Sequence, residues 1–382
     1  MHELAFNGVS PSSNPRADTT PYDLVVVGGG LSGLSAAYFY RRANPGARVL
    51  ILDNHDDFGG HAKRNEFSYH GKTYIGYGGS QSLESPGQFS NVAKKLLSEL
   101  TVDFSVFYDA FDLAFTRNHG LRSQVFFDKE HYGVDRLVPM RLNEYLDPSF
   151  EDQVNNVPMP ERARIELLNL MTTKQRPLTG LNRRQRRELL GNISIEQFLR
   201  KYLGCGDEVV HLLGKMTLNY WALGIDALSA LDAVDMWLPG FGGLLNRRDD
   251  DDEPYIFHFP DGNASLARLL VKKLIPGITS AENMEDMITA RIDYEALDQL
   301  DEAVRIRLNS TVINVEEVLS GRNAIVRIRY TRGGELYEAH GKNCVLACYH
   351  RTIPHIFPTL PAKQKAALAQ SVKGPLVYTN VL

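Results

Sequence analysis

One short segment near the start of the chain, DLVVVGGGLSGLSAA from Asp23 to Ala37, constrains the fold more than any other. Leu24 to Val27 is an apolar run typical of a buried strand. The glycines that follow permit a tight turn, and the small residues after them are typical of a helix that packs closely on that strand. The segment therefore predicts a strand, a glycine turn and a helix over Leu34 to Ala43.

A second strand follows this helix. An Asn-Pro-Gly sequence at 44–46 ends the helix, and Arg48 to Leu52 forms the next apolar run, which stops at Asp53. Two parallel strands joined by a helix form a βαβ unit, from which doubly wound α/β domains are built. We therefore predict the α/β fold class, with a doubly wound, Rossmann-like nucleotide-binding domain.

The glycines of the turn have the spacing GxGxxG, at Gly28, Gly30 and Gly33. The first permits the turn, the second lets the backbone approach a pyrophosphate, and the third lets the helix pack on the strand. The helix then starts with free N–H groups at Leu31 and Ser32, beside the phosphates. The spacing predicts a dinucleotide site.

Asp53 ends the second strand at the distance from Gly33 that dinucleotide-binding domains use for an acidic residue. Such a carboxylate accepts hydrogen bonds from an adenosine ribose and disfavours the 2′-phosphate of NADP. We expect that role for Asp53. The fingerprint alone does not separate NAD from FAD.

The remaining chain predicts a large insertion followed by more sheet. A hairpin is expected over Phe67 to Tyr69 and Thr73 to Ile75, mostly helical structure over 85–235, and a loop over 240–254. A helix over Ala264 to Leu274 precedes four strand patterns, VRIRL, TVINVEEV, AIVRIRY and CVLAC. The predicted organisation is a disordered leader at 1–22, a discontinuous nucleotide-binding domain at 23–87 and 255–360, and an incomplete substrate domain at 88–254 and 361–382.

Composition bounds the partners. The chain has 382 residues with a net charge of −4, which suits two domains and gives no general affinity for nucleic acid. Cys344 and Cys348 lie too far apart on a predicted strand for a disulfide. His350 and His355 lack the spacing of metal ligands, so no metal site is expected.

The apolar segment from Leu24 to Tyr40 is too short and too rich in glycine for a membrane span. No export signal is evident, which gives a cytoplasmic location by default and leaves a periplasmic one open if the native start lies upstream.

Beyond Asp53 the sequence resembles the flavin-dependent amine oxidase family. The resemblance rests on five segments: GGHAKRNEF, YIGYGGSQSLESP, FPDGNASLARLLVKKLIP, RLNSTVINVEE and NCVLACYH. GGHAKRNEF and DEPYIFHFPDGNASLARLLV are most similar to the spermidine dehydrogenase branch. The resemblance implies FAD as the cofactor. It implies these further cofactor contacts: Gly59, Gly60, His61, Gly78, Gly79, Ser80, Gln81 and Val312.

The family resemblance also implies the reaction, which is oxidation of a C–N bond of a small-molecule amine such as the polyamine spermidine. The electron acceptor, oxygen or a redox protein, stays open, and no catalytic residue is assigned. Two alternatives stay open: the same fold acting on a carotenoid or a porphyrinogen, and a truncated polypeptide without activity.

The sequence departs from the family pattern at several positions. His61 stands where many relatives have arginine, Tyr349-His350 replaces the usual proline, and Tyr378 stands where many have a lysine near the flavin. The chain ends at Leu382, and the glycine-rich helix start that closes the family's flavin site near the C-terminus is missing from it. We therefore expect the chain to be a fragment, roughly the first two thirds of a complete enzyme.

Three further segments have chemistry that could serve a substrate, but each is better explained by structure. The aromatic residues in NYWALG, from Asn219 to Gly224, are expected in a core. The charge runs DDDDE, from Asp249 to Glu253, and RRQRR, from Arg183 to Arg187, are expected to be solvated.

Overall fold

The computed structural model describes residues 14–142, 150–172, 177–236, 238–241, 244, 253–320 and 323–381. The chain divides into two compact units, unit 1 (Met1–Phe111 with Glu253–Leu382) and unit 2 (Asp112–Asp252). The sequence-based prediction assigned residues 88–111 and 361–382 to the substrate domain. In the structure both ranges fall in unit 1.

Unit 1 begins with the predicted βαβ unit and hairpin. Its first elements are β1 (Arg16–Val27), α1 (Leu31–Ala43), β2 (Val49–Leu52), β3 (Arg64–Tyr69), β4 (Lys72–Tyr77), a 3₁₀ turn (Pro86–Gln88), α2 (Asn91–Glu99) and α3 (Ser105–Ala110).

Unit 2 is mainly helical, as the pattern over 85–235 predicts, but it also contains a short antiparallel strand pair that the prediction missed. Its elements are α4 (Phe115–Asn118), β5 (Gln124–Phe127), α5 (Lys129–Tyr132), β6 (Arg136–Pro139), α6 (Phe150–Val154), α7 (Glu161–Thr172), α8 (Arg183–Gly191), α9 (Ile195–Leu203), α10 (Asp207–Leu213), α11 (Leu218–Trp221) and α12 (Ala230–Asp235). The predicted capping box is present, since Ser194 accepts from the Gln197 N–H and Gln197 bonds back to Ser194.

The chain then returns to unit 1. The remaining elements are α13 (Ala264–Leu274), 3₁₀ turns at Pro276–Ile278, Tyr294–Asp298 and His350–Thr352, α14 (Met284–Thr289), β7 (Val304–Arg307), β8 (Thr311–Ser320), β9 (Asn323–Arg332), β10 (Glu335–Leu346), α15 (Ile353–Ile356) and α16 (Ala362–Ala369). Helix α13 has the predicted bounds, whereas β10 starts well before the predicted CVLAC strand and ends at Leu346, before Cys348.

The main sheet of unit 1 has the order β7-β2-β1-β10-β9-β8 among the described residues. The first four strands are parallel, and β9 and β8 extend the sheet in antiparallel fashion. Side chains alternate across it, so that Val26 and Ile51 pack under α1 and α13 while Val25 and Leu50 pack on the opposite face. Residues 24–27 of β1 and the whole of β2 (Val49–Leu52) are therefore buried and apolar throughout, as strand segments covered on both faces are. The predicted Rossmann-like α/β fold is confirmed.

The prediction of a disordered leader over 1–22 is wrong for its last part. Residues from Arg16 onward belong to β1, where Arg16 pairs with Tyr337 and Pro21 with His340 of β10. The register shifts between Ala17 and Pro21, a break that accommodates a residue without a backbone N–H. The polar composition of this segment suggested disorder. Its pairing partners lie far away in the sequence, so no local pattern indicated a strand.

Side chains also hold this segment, through a buried ion network formed by Asp18, Asp298, Arg305 and Arg307. Asp298 accepts hydrogen bonds from Nε of Arg305 and from Nε of Arg307, each at 2.8 Å. Arg307 donates to Asp18 at 3.0 Å, and Arg305 donates to the Tyr22 hydroxyl at 2.8 Å. The arginine side chains are only 5% and 7% exposed, so the two carboxylates compensate charges that water does not reach.

Candidate functional site: a glycine-lined cleft

A cleft of about 390 Å³ opens where β1, β2 and β10 end. Carboxyl ends of parallel strands are the usual ligand-binding edge of such sheets, and this volume is in the range of small-molecule sites. The residues that line it are Val27, Gly28, Gly30, Leu31, Ser32, Leu52, Asp53, Asn54, His55, Gly59, Gly60, His61, Ala62, Ser80, Ser310, Thr311, Val312, Ala347, Cys348, Tyr349, Thr352 and Ile356.

Gly28 makes the turn out of β1. Its φ of +107° is one that residues with a side chain rarely adopt, and a Cβ there would lie 2.5 Å from the Ala347 carbonyl oxygen. Gly33 has a different reason to be glycine, because a Cβ would lie 1.9 Å from the Gly28 carbonyl oxygen. Gly33 therefore lets α1 pack on the turn, as expected, and does not line the cleft.

The start of α1 presents free donors to the cleft. Leu34 is the first residue whose N–H bonds back along the helix, to the Gly30 carbonyl at 2.9 Å. The N–H groups before it, including those of Leu31 and Ser32, have no acceptor within the helix. The N-cap residue is Gly30, which has no side chain to accept hydrogen bonds from them. These donors and the positive end of the helix dipole suit an anion.

Gly30 leaves room for such an anion. Its φ of −73° is ordinary, and the nearest atom to a Cβ at this position, the Gly59 carbonyl oxygen, would be at 3.7 Å. Protein packing therefore does not require glycine here. The bare backbone instead leaves the space in front of the helix start open.

Asp53 is 4% exposed and orders the turn directly. Its Oδ2 accepts from the Gly29 N–H at 2.6 Å, and its Oδ1 accepts from the His55 N–H at 2.8 Å. Oδ1 also lies 3.1 Å from Nδ1 of His55, whereas Oδ2 can accept a further hydrogen bond, so contact with a ribose is compatible with these bonds. The structural role of Asp53 was not evident from the sequence.

The glycine pair at 59–60 lies against this turn. The Gly59 N–H donates to the Gly29 carbonyl at 2.8 Å, and Gly30 and Gly59 form a parallel bridge. Both glycines have positive φ, +101° and +62°, and a Cβ on Gly60 would lie 3.1 Å from the Gly30 Cα. The two glycine segments thus form one continuous backbone wall of the cleft.

The second glycine pair, Gly78 and Gly79, packs against the backbone of His61 to Lys63, which follows the first pair. The Gly78 N–H donates to the Lys63 carbonyl at 2.7 Å, and a Cβ on Gly79 would lie 3.0 Å from the His61 carbonyl oxygen. Of the described residues in this segment, Ser80 lines the cleft, but Gly78, Gly79 and Gln81 do not. Their predicted contact with a cofactor remains a prediction.

Ser80 is held by the Asp261–Asn263 turn. Asn263 donates from its backbone N–H to the Ser80 carbonyl at 2.9 Å and from Nδ2 to the Ser80 Oγ at 2.8 Å. Gly262 has a φ of +61°, and a Cβ there would lie 2.3 Å from the Ser80 carbonyl oxygen. Burial raises the pKa of Asp261, although a hydrogen bond from Ser265 and the charge of Arg64 lower it in part.

A further part of the cleft lining comes from later in the chain and includes Val312, whose predicted contact with a cofactor remains a prediction. Sequence reasoning missed the other members, which are Ser310, Thr311, Ala347, Cys348, Tyr349, Thr352 and Ile356. Ser310 and Thr311 lie at the start of the predicted TVINVEEV strand, and Ala347 and Cys348 lie at the end of the predicted CVLAC strand. Burial raises the pKa of the Cys348 thiol to about 11, and Cys344 and Cys348 are both free thiols.

The other segments singled out in the sequence do not contribute described residues to the cleft lining. Tyr220 is 66% exposed, whereas Trp221 packs against the apolar core of unit 2. The basic run lies on α8, where Arg186 donates to the Leu181 and Leu244 carbonyls. Residues 249–252 of the acidic run lie outside the described residues, and Glu253 accepts from the Gly87 N–H at 2.8 Å. Tyr378 contacts the Tyr77 ring, with 5.6 Å between centroids.

Comparison with known proteins supports a nucleotide-binding role. Residues 26–100 match the NAD(P)-binding Rossmann-like domain family. The chain is 46% identical over 66 residues to L-amino-acid oxidase BjussuLAAO-I of Bothrops jararacussu, which covers 17% of this chain and 12% of that protein. It is 52% identical over 42 residues to the probable flavin-containing monoamine oxidase A of Dictyostelium discoideum, covering 11% of this chain and 9% of that protein.

The fold extends further than these sequence matches. The structure of a putative protoporphyrinogen oxidase from Exiguobacterium sp. 255-15 superposes with a TM-score of 0.51 at 17% identity, over 93% of this chain and 64% of that chain. The chain thus spans less than two thirds of that structure, and the matched segments span about an eighth or less of the curated relatives. The likeness to spermidine dehydrogenases stays a prediction. In the described part of the chain, no helix has both the length and the apolar character to cross a membrane.

Proposed function

We propose that this chain forms the FAD-binding part of an oxidoreductase that oxidises a C–N bond of an amine, with a polyamine such as spermidine as the substrate. The observation that carries the proposal is the continuous wall from the α1 start through Gly59–Gly60 to Ser80. A simple mononucleotide would need only the first part of that wall. The similarity to a flavin-containing monoamine oxidase and to L-amino-acid oxidases supports flavin over nicotinamide.

The residues of the cleft fit an adenine dinucleotide. Free N–H groups at Leu31 and Ser32 would bind the pyrophosphate, and Asp53 would accept from the ribose. Val312, which is 7% exposed, would lie against the adenine. The backbone of Gly60 and His61 and the hydroxyl of Ser80 would lie along the isoalloxazine half.

The proposed reaction needs little acid–base chemistry from the protein. Bound FAD would supply the hydride acceptor. The carbon next to the amine nitrogen loses a hydride equivalent, the nitrogen lone pair forms the C=N bond, and water then cleaves the iminium ion to an aldehyde and an amine. The protein has to orient the C–H bond and keep the reacting nitrogen neutral, which surroundings of low polarity favour because they lower the pKa of an aliphatic amine below about 10.4.

Anaerobic reduction of the loaded protein tests this proposal. The purified chain is incubated with FAD, dialysed, and mixed without oxygen with spermidine or with the monoamine n-butylamine. We expect spermidine to bleach the yellow flavin and n-butylamine to do so far more slowly. A protein that stays yellow with spermidine but is bleached by a porphyrinogen would favour the alternative substrate. A folded protein that is colourless after dialysis would favour a polypeptide without activity.

A further inference from the structure

Unit 1 carries an exposed aromatic patch formed by Tyr108, Phe111, Tyr255 and His258. The His258 ring lies 4.9 Å from the Phe111 ring in an edge-to-face arrangement and 5.9 Å from the Tyr255 ring. Tyr255 is 59% exposed and Tyr108 is 47% exposed. Large aromatic rings that stand open to solvent side by side are unusual and often mark binding surfaces.

The aromatic patch is held in place by buried aromatic residues. Tyr108 packs against Phe257 with 5.6 Å between ring centroids. Phe257 in turn packs edge-to-face on Phe104 and Phe107, and Phe107 packs on Phe259. The exposed rings therefore extend from a packed core, so a ligand that uses them would not have to order a loose loop.

The aromatic patch is linked to the cleft by a chain of hydrogen bonds. The Ser82 hydroxyl donates to the Tyr255 hydroxyl oxygen at 2.6 Å. Asn263 bonds both the Ser82 carbonyl, at 3.2 Å, and the Ser80 Oγ, at 2.8 Å. Ser80 lines the cleft. The same short segment thus contacts the cleft on one side and the aromatic patch on the other.

The local charge favours a cation. The two segments that supply the patch, 104–111 and 253–262, contain no Lys or Arg, and they include the carboxylates of Asp109 and Glu253. Burial lowers the pKa of His258, and its Nδ1 is buried without a hydrogen-bond partner among the described residues. The imidazole is therefore neutral at neutral pH and does not repel a positive charge.

We propose that the aromatic patch binds a protonated amino group of the amine substrate through cation–π contacts, at the approach to Ser80 and Ser82. This inference rests on the proposed function and adds a basis for substrate choice. A polyamine can present a neutral nitrogen for oxidation while a second, protonated nitrogen lies on the rings. A monoamine has only the reacting nitrogen and gains nothing from the aromatic patch.

Binding of tetramethylammonium tests the proposal without any oxidation, because this cation has no N–H and carries a fixed charge. The FAD-loaded chain is titrated with tetramethylammonium chloride, followed by NMR of the ligand, with sodium chloride as the ionic-strength control. An aromatic face at an exposed site contributes about 0.5–1 kcal/mol to cation binding, so Tyr255→Leu is expected to weaken binding about twofold to fivefold. Tyr255→Phe should bind like the wild type, and Tyr255→Trp should bind more tightly.

A matched control is available on the hairpin, where Tyr69 is 62% exposed and lies outside the aromatic patch. Tyr69→Leu should leave cation binding unchanged. Equal affinities for the wild type and the Leu and Trp variants at position 255 would overturn the inference, as would a wild type that does not bind the cation at millimolar concentration. If the flavin is reduced by spermidine but cation binding does not depend on Tyr255, only this inference fails. If cation binding follows Tyr255 but spermidine does not reduce the flavin, the proposed function fails instead.

Discussion

The ion network and the cleft both depend on β1, but they use polar groups in opposite ways. In the ion network every charge finds a partner within the chain, since Asp298 and Asp18 accept from Arg305 and Arg307. In the cleft the donors at the start of α1 have no partner within the helix. Leu31 is half-buried and Ser32 is exposed, so these donors are accessible from the cleft. The contrast indicates that the ion network stabilises the fold, whereas the helix start keeps donors that a ligand could use.

Removing the shared carboxylate of the ion network should give the largest effect. Asp298→Ala leaves two buried guanidinium groups without that partner, and we expect a loss of about 3–5 kcal/mol in the free energy of unfolding. Urea denaturation measures this loss, with the exposed neighbour Asp301→Ala as the control, for which about 0.5 kcal/mol or less is expected. The affinity of the folded protein for FAD should not change, and a selective loss of FAD affinity would contradict the structural role.

Gly28→Ala should act on the fold as well, although it lies in the cleft. The positive φ costs about 1–2 kcal/mol for a residue with a Cβ, and the clash with the Ala347 carbonyl adds about 1–3 kcal/mol. Thermal or urea denaturation should show the loss. Gly46→Ala is the control, because a Cβ there has no atom within 4 Å. If both variants were equally stable, the turn would not depend on glycine at position 28.

Gly30→Ala should separate binding from stability. The backbone is ordinary and the added methyl group has space, so the free energy of unfolding should change by no more than about 0.5 kcal/mol. The methyl group would project where the pyrophosphate approaches. We expect about tenfold weaker FAD binding, equivalent to about 1.4 kcal/mol, in a fluorescence titration. An unstable variant, or one with full affinity, would break the contrast between cleft and ion network.

The pH dependence of stability should reveal Asp18. Burial alone would raise its pKa, but hydrogen bonds from Thr20 and the interaction with Arg307 outweigh burial, so the pKa is lower in the folded than in the unfolded protein. The contribution to stability is therefore present above the unfolded pKa of about 3.9 and is lost as the pH falls through the folded pKa. Asp18→Asn should cost about 1 kcal/mol at neutral pH and little in strong acid. A constant difference between wild type and variant at all pH values would contradict this assignment.

Local sequence was sufficient to predict the glycine turn, the hairpin and α13. In each case the turn residues and the apolar period lie within one segment, so no distant partner is needed. The fold class followed because a βαβ unit restricts the possible architectures to a few. Gly28 and Gly30 were predicted from the spacing within this unit, whereas Gly59, which lines the same cleft, was predicted only from the family resemblance.

Features that depend on distant partners could not be predicted. Arg16 to Tyr22 is polar, and only its pairing with β10 and the ion network make it a strand. Ala347 and Cys348 are distant in sequence from Gly28, and their position at the end of a predicted strand does not show that they meet Gly28. Gly33 and Gly79 show a further limit, since glycine can serve packing against a neighbouring backbone as well as contact with a ligand.

Binding of FAD to the purified chain tests the central claim most directly, namely that the free main-chain donors at the start of α1 hold a dinucleotide. Equilibrium dialysis should show one equivalent of FAD bound to the folded wild type, displaced by ADP because ADP carries the same pyrophosphate. A folded wild-type protein that retains no FAD, or that retains FAD in the presence of saturating ADP, would contradict the claim.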